Sequence, residues 1–182
     1  MKIVDYEING LKLISPRVFH DNRGFFLETY RDNAYTDFLG LTFVQDNLSY
    51  STYGTIRGLH FQREPHAQAK LVRCTYGEIL DVAVDIREDS PSFGKHTSVV
   101  LSSVNQKQLF IPAGFAHGFA VLSKEAIVEY KCSNYFSPGS DAGILYNDEQ
   151  LGISWMIPME ERILSDKDLS LPCLGSITRS KK

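Results

Sequence analysis

Short runs of alternating hydrophobic and polar residues fill most of the chain, and turn residues break them at regular intervals. The clearest run is Leu80-Asp81-Val82-Ala83-Val84-Asp85-Ile86-Arg87, which puts Leu80, Val82, Val84 and Ile86 on one strand face. Asn9-Gly10, between Tyr6-Glu7-Ile8 and Leu11-Lys12-Leu13-Ile14, predicts a hairpin. Further strands are expected over 42–47, 55–62, 70–75, 78–87, 96–102, 108–112, 116–122 and 126–135, with a turn at Ser90-Pro91-Ser92-Phe93-Gly94. Residues 31–39 read as a short helix closed by Gly40. From about Pro158 the pattern is mixed and punctuated by proline, and this tail is expected to pack as helix or loop across a barrel. Many short strands with regular turns predict a mainly β fold, a sandwich or barrel of jelly-roll type. No repeat, low-complexity tract or linker interrupts residues 1–182, so one domain is expected.

Composition narrows the function classes. The 182 residues are 43% hydrophobic and 23% charged, with a formal net charge of −3. No global basic field favours nucleic acid or an anionic membrane, so an anionic substrate would have to be held by local cations. Cys74, Cys132 and Cys173 are too few and too scattered for a disulfide framework or zinc knuckle. Cys74 and Cys132 lie in apolar runs and read as buried thiols in a reducing cytoplasm. The N-terminus lacks a signal-peptide core, and no apolar stretch is long enough to span a bilayer. A cytoplasmic location is expected.

Three segments carry candidate chemistry. In Arg57-Gly58-Leu59-His60-Phe61-Gln62, followed by Lys70, a strand histidine beside a glycine could be a general base, although a lone strand histidine is more often structural. Alternation groups His60 with Gly58 and Gln62. Pro112-Ala113-Gly114-Phe115-Ala116-His117 matches the second half of the cupin signature, a turn that aims a histidine into a barrel. A metal-binding cupin would need His-x-His and a glutamate in the first half. Here Gln62 follows His60, so the ligand count argues against a metal. In Ala126-Ile127-Val128-Glu129-Tyr130-Lys131-Cys132, Tyr130 shares the inward face with Val128 and Cys132. It is either a core tyrosine or a general acid. Together, His60, Tyr130 and Lys70 supply a base, an acid and a cation, a set suited to proton transfer beside a carbonyl with the lysine stabilising an enolate.

Arg23-Gly24-Phe25-Phe26, Phe43-Val44-Gln45-Asp46-Asn47, Arg57-Gly58-Leu59-His60-Phe61-Gln62, Asp81-Val82-Ala83-Val84-Asp85 and Ile111-Pro112-x-Gly114-Phe115-Ala116-His117-Gly118-Phe119 resemble the dTDP-4-dehydrorhamnose 3,5-epimerase family. Asn147-Asp148, Gly152-Ile153-x-Trp155 and Ser165-x-Lys167-Asp168 extend the likeness over nearly the whole chain. The resemblance implies a cupin-like double-stranded β-helix, a jelly-roll barrel with a few short helices. It also implies a homodimer that uses no cofactor. The implied reaction inverts carbons 3 and 5 of dTDP-4-dehydro-6-deoxy-D-glucose to give dTDP-4-dehydro-L-rhamnose. By the same resemblance the base falls on His60, its aspartate partner on Asp168, the acid on Tyr130 and the enolate-side lysine on Lys70. Substrate contacts fall on Arg23, Glu28, Gln45, Asp46, Asn47, Arg57, Lys70, His117 and Lys167. The anionic pyrophosphate accounts for Arg23, Arg57 and Lys167 in that set. Gln45 and Asn47, two apart on a strand, share a face independently of the likeness.

Some positions depart from the expected pattern. The thymine-stacking position, often tyrosine, is Phe136, and a glutamate expected near the nucleotide is Asp141. Strict alternation turns Arg57 away from His60, so either a bulge re-aims it or it serves a neighbouring subunit. Arms near Arg23 are candidates to complete a partner's site. Three other readings stand beside the double epimerase: a single-carbon epimerase of a related 4-keto sugar, a non-catalytic sugar-binding jelly roll, and a metal-dependent cupin.

Overall fold

The computed structural model describes residues 1–177. The chain opens with strands β1 (Lys2–Asp5) and β2 (Lys12–Ser15), paired antiparallel. The Asn9-Gly10 hairpin is present, but its connection spans residues 6–11 and Gly10 takes φ +98°. Strands β3 (Val18–Asp21) and β4 (Gly24–Leu27) form a separate two-stranded arm that alternation did not anticipate. Its Phe19, Phe25 and Phe26 are exposed, so no buried face marks a strand period. Helix α1 (Asp32–Leu39) ends at Gly40, whose φ of +72° lets its N–H reach Thr36 O.

Nine strands complete the body: β5 (Gln45–Thr52), β6 (Ile56–Gln62), β7 (Lys70–Tyr76), β8 (Glu78–Asp85), β9 (His96–Ser102), β10 (Gln108–Ile111), β11 (Phe115–Val121), β12 (Glu125–Cys132) and β13 (Asp141–Gly143). β5 starts later and runs further than its hydrophobicity suggests, because its exposed positions include Leu48 and Tyr50. The strands form a six-stranded sheet, β1-β2-β10-β7-β12-β5, and a five-stranded sheet, β13-β6-β11-β8-β9.

The two sheets enclose a core of Val72, Ile79, Leu101, Leu109, Phe115, Phe119 and Val128 among others. The chain after β13 then covers the outer face of the five-stranded sheet: Leu80, Val82 and Val84 pack with Ile144, Tyr146, Trp155 and, from the tail, Leu174. The shared face of Leu80, Val82 and Val84 is as the sequence indicates, but β8 is buried on both faces, Asp81 and Asp85 included. Each buried aliphatic side chain there contributes about 1.5–3 kcal/mol. Helix α1 covers part of the other sheet through Tyr35, over Ile14, Leu71 and Phe110.

The tail consists of a 3-10 turn (Met159–Glu161) and the one-turn helices α2 (Asp166–Leu169) and α3 (Leu174–Ile177). Ile56 N–H donates to Ile163 O, Leu145 N–H to Pro172 O and Leu174 N–H to Asp148 Oδ2, so the tail is pinned at both ends. Among the described residues no helix is long and apolar enough to cross a membrane.

Candidate active site

Two glycines bring together the strands that carry His60 and His117. β6 and β11 run side by side, and a Cβ on Gly58 would lie 2.6 Å from Gly118 Cα. A Cβ on Gly118 would lie 2.6 Å from Arg57 O. Only backbone without side chains allows this approach. The ladder slips here: His60 pairs with His117, but Arg57 pairs with Phe119. That irregularity turns Arg57 to the same cavity as His60, and strict alternation fails for this reason. Arg57 is held at the rim by Nε donating to Ser51 Oγ (2.9 Å) and Nη2 to Tyr50 O (3.3 Å).

Two neighbouring hollows share His60, Lys70, Tyr130 and Lys167. The first, about 320 Å³, adds Ser49, Arg57, His117, Phe119, Ser165 and Asp168. The second, about 270 Å³, adds Gln45, Asn47, Gln62, Phe136 and Asp141.

His60 Nε2 lies 2.6 Å from Asp168 Oδ1, and Asp168 is buried while the His60 side chain keeps 33% exposure. Asp168 is presented by α2, whose N-cap Ser165 accepts the Asp168 N–H at 3.1 Å. Burial alone would raise the Asp168 pKa. Hydrogen bonds from His60, the Gly58 N–H and Ser165, with the His60 charge, outweigh burial and hold it below the usual carboxylate value. The aspartate therefore stays ionised behind the imidazole and fixes its orientation.

His117 and Asp81 form a second pair, 2.7 Å apart and both buried. Burial pushes His117 down from its ordinary value despite Asp81, so this imidazole favours the neutral form. Tyr130 meets the His117 ring edge-on at 6.5 Å, and Lys70 Nζ lies 5.8 Å from the Tyr130 ring centroid. Burial raises the Tyr130 phenol above its usual value, helped by Cys132 and opposed by Arg57, so the phenol holds its proton at neutral pH. Burial lowers Lys70, only partly offset by Cys132, Asp81 and Asp141. A lysine held in such a site interacts strongly with a developing oxyanion.

In the second hollow, Gln45 Nε2 donates to Asn47 Oδ1 at 3.1 Å, as their shared face requires. Lys167 and Asp141 are ion-paired at 2.5 Å. Phe136 is 54% exposed.

The structure thus brings together His60, Asp168, Tyr130, Lys70, His117, Arg57, Gln45, Asn47, Phe136, Asp141 and Lys167. Three expected contacts lie elsewhere within this chain. Asp46 points to the other face of β5, where it pairs with Lys131 at 2.8 Å, as the odd member of an alternating strand must. Arg23 sits at the tip of the exposed arm, paired with Asp21 at 2.6 Å, and Glu28 pairs with Arg31 at 2.8 Å. Neither Arg23 nor Glu28 lines the hollows.

Sequence reading also missed members of the site. Asp81 behind His117 and Ser165 beside Asp168 lie in blocks that carry the resemblance but had no role there; Asp81 shows as a polar residue in an apolar strand, and Ser165 as the start of a Ser-x-x-Asp cap. Among the described residues no cluster of three or more His, Cys, Asp or Glu could hold a metal ion. At the cupin ligand position, the Gln62 amide is engaged with backbone groups of two loops.

Comparison with known proteins adds independent findings. The family model for dTDP-4-dehydrorhamnose 3,5-epimerase matches residues 5–176. The curated dTDP-4-dehydrorhamnose 3,5-epimerase of Escherichia coli is 50% identical over 183 residues, covering 100% of this chain and 98% of its own. The crystal structure of dTDP-4-dehydrorhamnose 3,5-epimerase from Elizabethkingia anophelis superposes with a TM-score of 0.92 at 46% identity, over 97% of both chains. The dTDP-6-deoxy-D-glucose-3,5-epimerase of Legionella pneumophila, solved in complex with dTDP-4-keto-L-rhamnose, superposes with a TM-score of 0.92 at 47% identity, over 97% of this chain and 94% of that one.

Proposed function

We propose that this chain, which belongs to the dTDP-4-dehydrorhamnose 3,5-epimerase family, inverts its substrate with His60 as base and Tyr130 as acid on opposite faces of one sugar ring. Membership carries the reaction: the chain is an isomerase that epimerises carbons 3 and 5 of a dTDP-linked 4-keto-6-deoxy sugar. The ketone at carbon 4 lies between those two carbons and acidifies the hydrogen on each.

The observation that carries the assignment of roles is the 2.6 Å contact between His60 and Asp168, in a hollow also lined by Tyr130 and Lys70. His60 removes the proton from carbon 3 or carbon 5. The electron pair moves onto the carbon 4 oxygen, where Lys70 stabilises the enolate. Asp168 stabilises the imidazolium that forms. Tyr130 then delivers a proton to the opposite face of the same carbon. Solvent restores the Tyr130 proton and removes the one from His60. His117 completes the wall of the sugar hollow as a substrate contact.

The second hollow takes the nucleotide in this reading. Phe136 offers a flat ring to the base and Gln45 and Asn47 offer amides, while Lys167, shared by the two hollows, and Arg57 of the first offer charge to the pyrophosphate, with Asp141 holding Lys167. Arg23 and Glu28 enter through a homodimer. The exposed Phe19, Phe25 and Phe26 of the β3–β4 arm suit it to lie on a second copy and bring both charged residues to that copy's cleft. Three free thiols, two of them buried, fit a cytoplasmic enzyme.

Turnover of dTDP-4-dehydro-6-deoxy-D-glucose in deuterated water, followed by NMR, tests the reaction. Inversion with deuterium at both carbons is expected. Deuterium at one carbon only would contradict it and leave a single-carbon epimerase.

A further inference from the structure

We propose that Gln62 is a positioning residue that fixes Phe136 as a preformed aromatic platform for the nucleobase. The inference rests on the reading above that the second hollow takes the nucleotide.

Gln62 is buried, and its amide is fully engaged. Nε2 donates to His66 O at 2.6 Å and to Tyr135 O at 3.1 Å, while Oε1 accepts the Ser137 N–H at 2.6 Å. Two carbonyls on one atom and an N–H on the other fix which end is nitrogen. Tyr135 and Ser137 flank Phe136. The Phe136 N–H itself donates to Gln45 Oε1 at 2.8 Å. Three successive backbone groups around one phenylalanine are therefore held by two side-chain amides that reach it from β5 and β6.

The same amide joins this segment to the loop after β6. Arg63 N–H donates to Ser140 O, His66 Nδ1 lies 2.9 Å from Ser140 Oγ, and Gln68 Nε2 donates to Asn134 O at 2.7 Å. The two loops are fastened together around a residue whose apolar ring stays 54% exposed beside the hollow. Core packing gives no reason for this arrangement. Ordering a backbone while its aromatic side chain faces water is what a binding surface needs, because the entropy is lost before the ligand arrives.

The residue type follows from the geometry. Glutamate at 62 would turn an acceptor toward two carbonyls. Histidine, the metal ligand of other cupins at this position, has no nitrogen that can donate to two carbonyls while another atom accepts the Ser137 N–H. Leucine would fill the space and hold nothing.

Calorimetric titration with dTDP, together with steady-state kinetics, tests this on Gln62→Leu, Phe136→Ala and the double variant. Gln62→Leu is expected to weaken dTDP binding about tenfold, with the loss appearing in KM and much less in kcat. In the Phe136→Ala background the same change is expected to cost little further affinity, because the platform is already gone. Gln62→Glu, nearly isosteric, is expected to reproduce the affinity loss and serves if the leucine variant does not fold. Unchanged dTDP affinity in a folded Gln62 variant, or fully additive losses in the double variant, would overturn the proposal and leave the function intact. Wild-type protein that fails to bind dTDP would overturn the nucleotide reading, and this inference with it.

Discussion

His60 and Asp168 lie 108 residues apart in the chain, and their side chains meet at 2.6 Å. The contact exists because the tail returns across the five-stranded sheet and presents Asp168 from a single helical turn capped by Ser165. Asp168→Asn keeps the shape but loses the charge that orients and stabilises the imidazolium. Turnover is expected to fall about 100-fold or more, while dTDP affinity stays near that of wild type. Calorimetry and steady-state kinetics on the one variant check both halves. A large affinity loss with unchanged kcat would place Asp168 in binding instead.

Lys70 is held at a cost to folding, since burial lowers its pKa and so disfavours its charged form in the folded state. Lys70→Met is expected to remove epimerisation and to raise Tm by about 2–4 °C at pH 7 for a chain of this size. The sign with pH follows from the lowered pKa. The penalty is fully present below the folded pKa and vanishes as pH rises towards 10.5, so the gap between variant and wild type should narrow in alkaline buffer. A variant less stable than wild type at pH 7 would contradict this.

Asp85 belongs to the same sequence block as Asp81 but serves the fold. Burial opposes its charge, yet hydrogen bonds from Arg87, Ser90 and Ser92 hold its pKa at about 2. A folded pKa below the ordinary 3.8 contributes stability above that value, lost as pH falls to about 2. Asp85→Asn is expected to cost about 2 kcal/mol at pH 7. The difference should shrink as pH falls through about 2 and disappear below it. Urea unfolding at several pH values measures it, and a pH-independent difference would show that the charge is not the cause.

If the arm of one subunit completes the cleft of another, Arg23→Ala and His60→Ala damage different halves of one site. Each alone is expected to have little activity. Unfolding and refolding an equal mixture is expected to restore about a quarter of wild-type activity, because half the dimers are mixed and each has one intact site. No recovery in a mixture that sedimentation shows to be dimeric would place Arg23 outside the partner's site.

Much of the fold was legible because it depends on local chemistry. Gly40 closes α1 through its left-handed φ, and the alternation of β8 puts Leu80, Val82 and Val84 on one face. Tyr130 lies inward with Val128, as the period of β12 demands. What escaped depends on tertiary contacts. The arm has no buried face to leave a period, and the slip that redirects Arg57 arises where Gly58 meets Gly118 on another strand. Motif resemblance groups Asp46 with Gln45 and Asn47, but the pleat sends it to Lys131 on the opposite face. Gln62 stood out for lacking a metal-ligand side chain. Only its three backbone partners show what the amide holds.

The central claim is that His60 and Tyr130 act separately, one taking a proton and the other giving one. Proton NMR of the substrate in deuterated water, with His60→Ala and Tyr130→Phe enzymes, measures this directly. The account predicts that Tyr130→Phe still washes deuterium into the sugar without inversion, since His60 can remove and return a proton on its own face, whereas His60→Ala shows no exchange. Equal loss of exchange in both variants, or exchange surviving in His60→Ala, would contradict it.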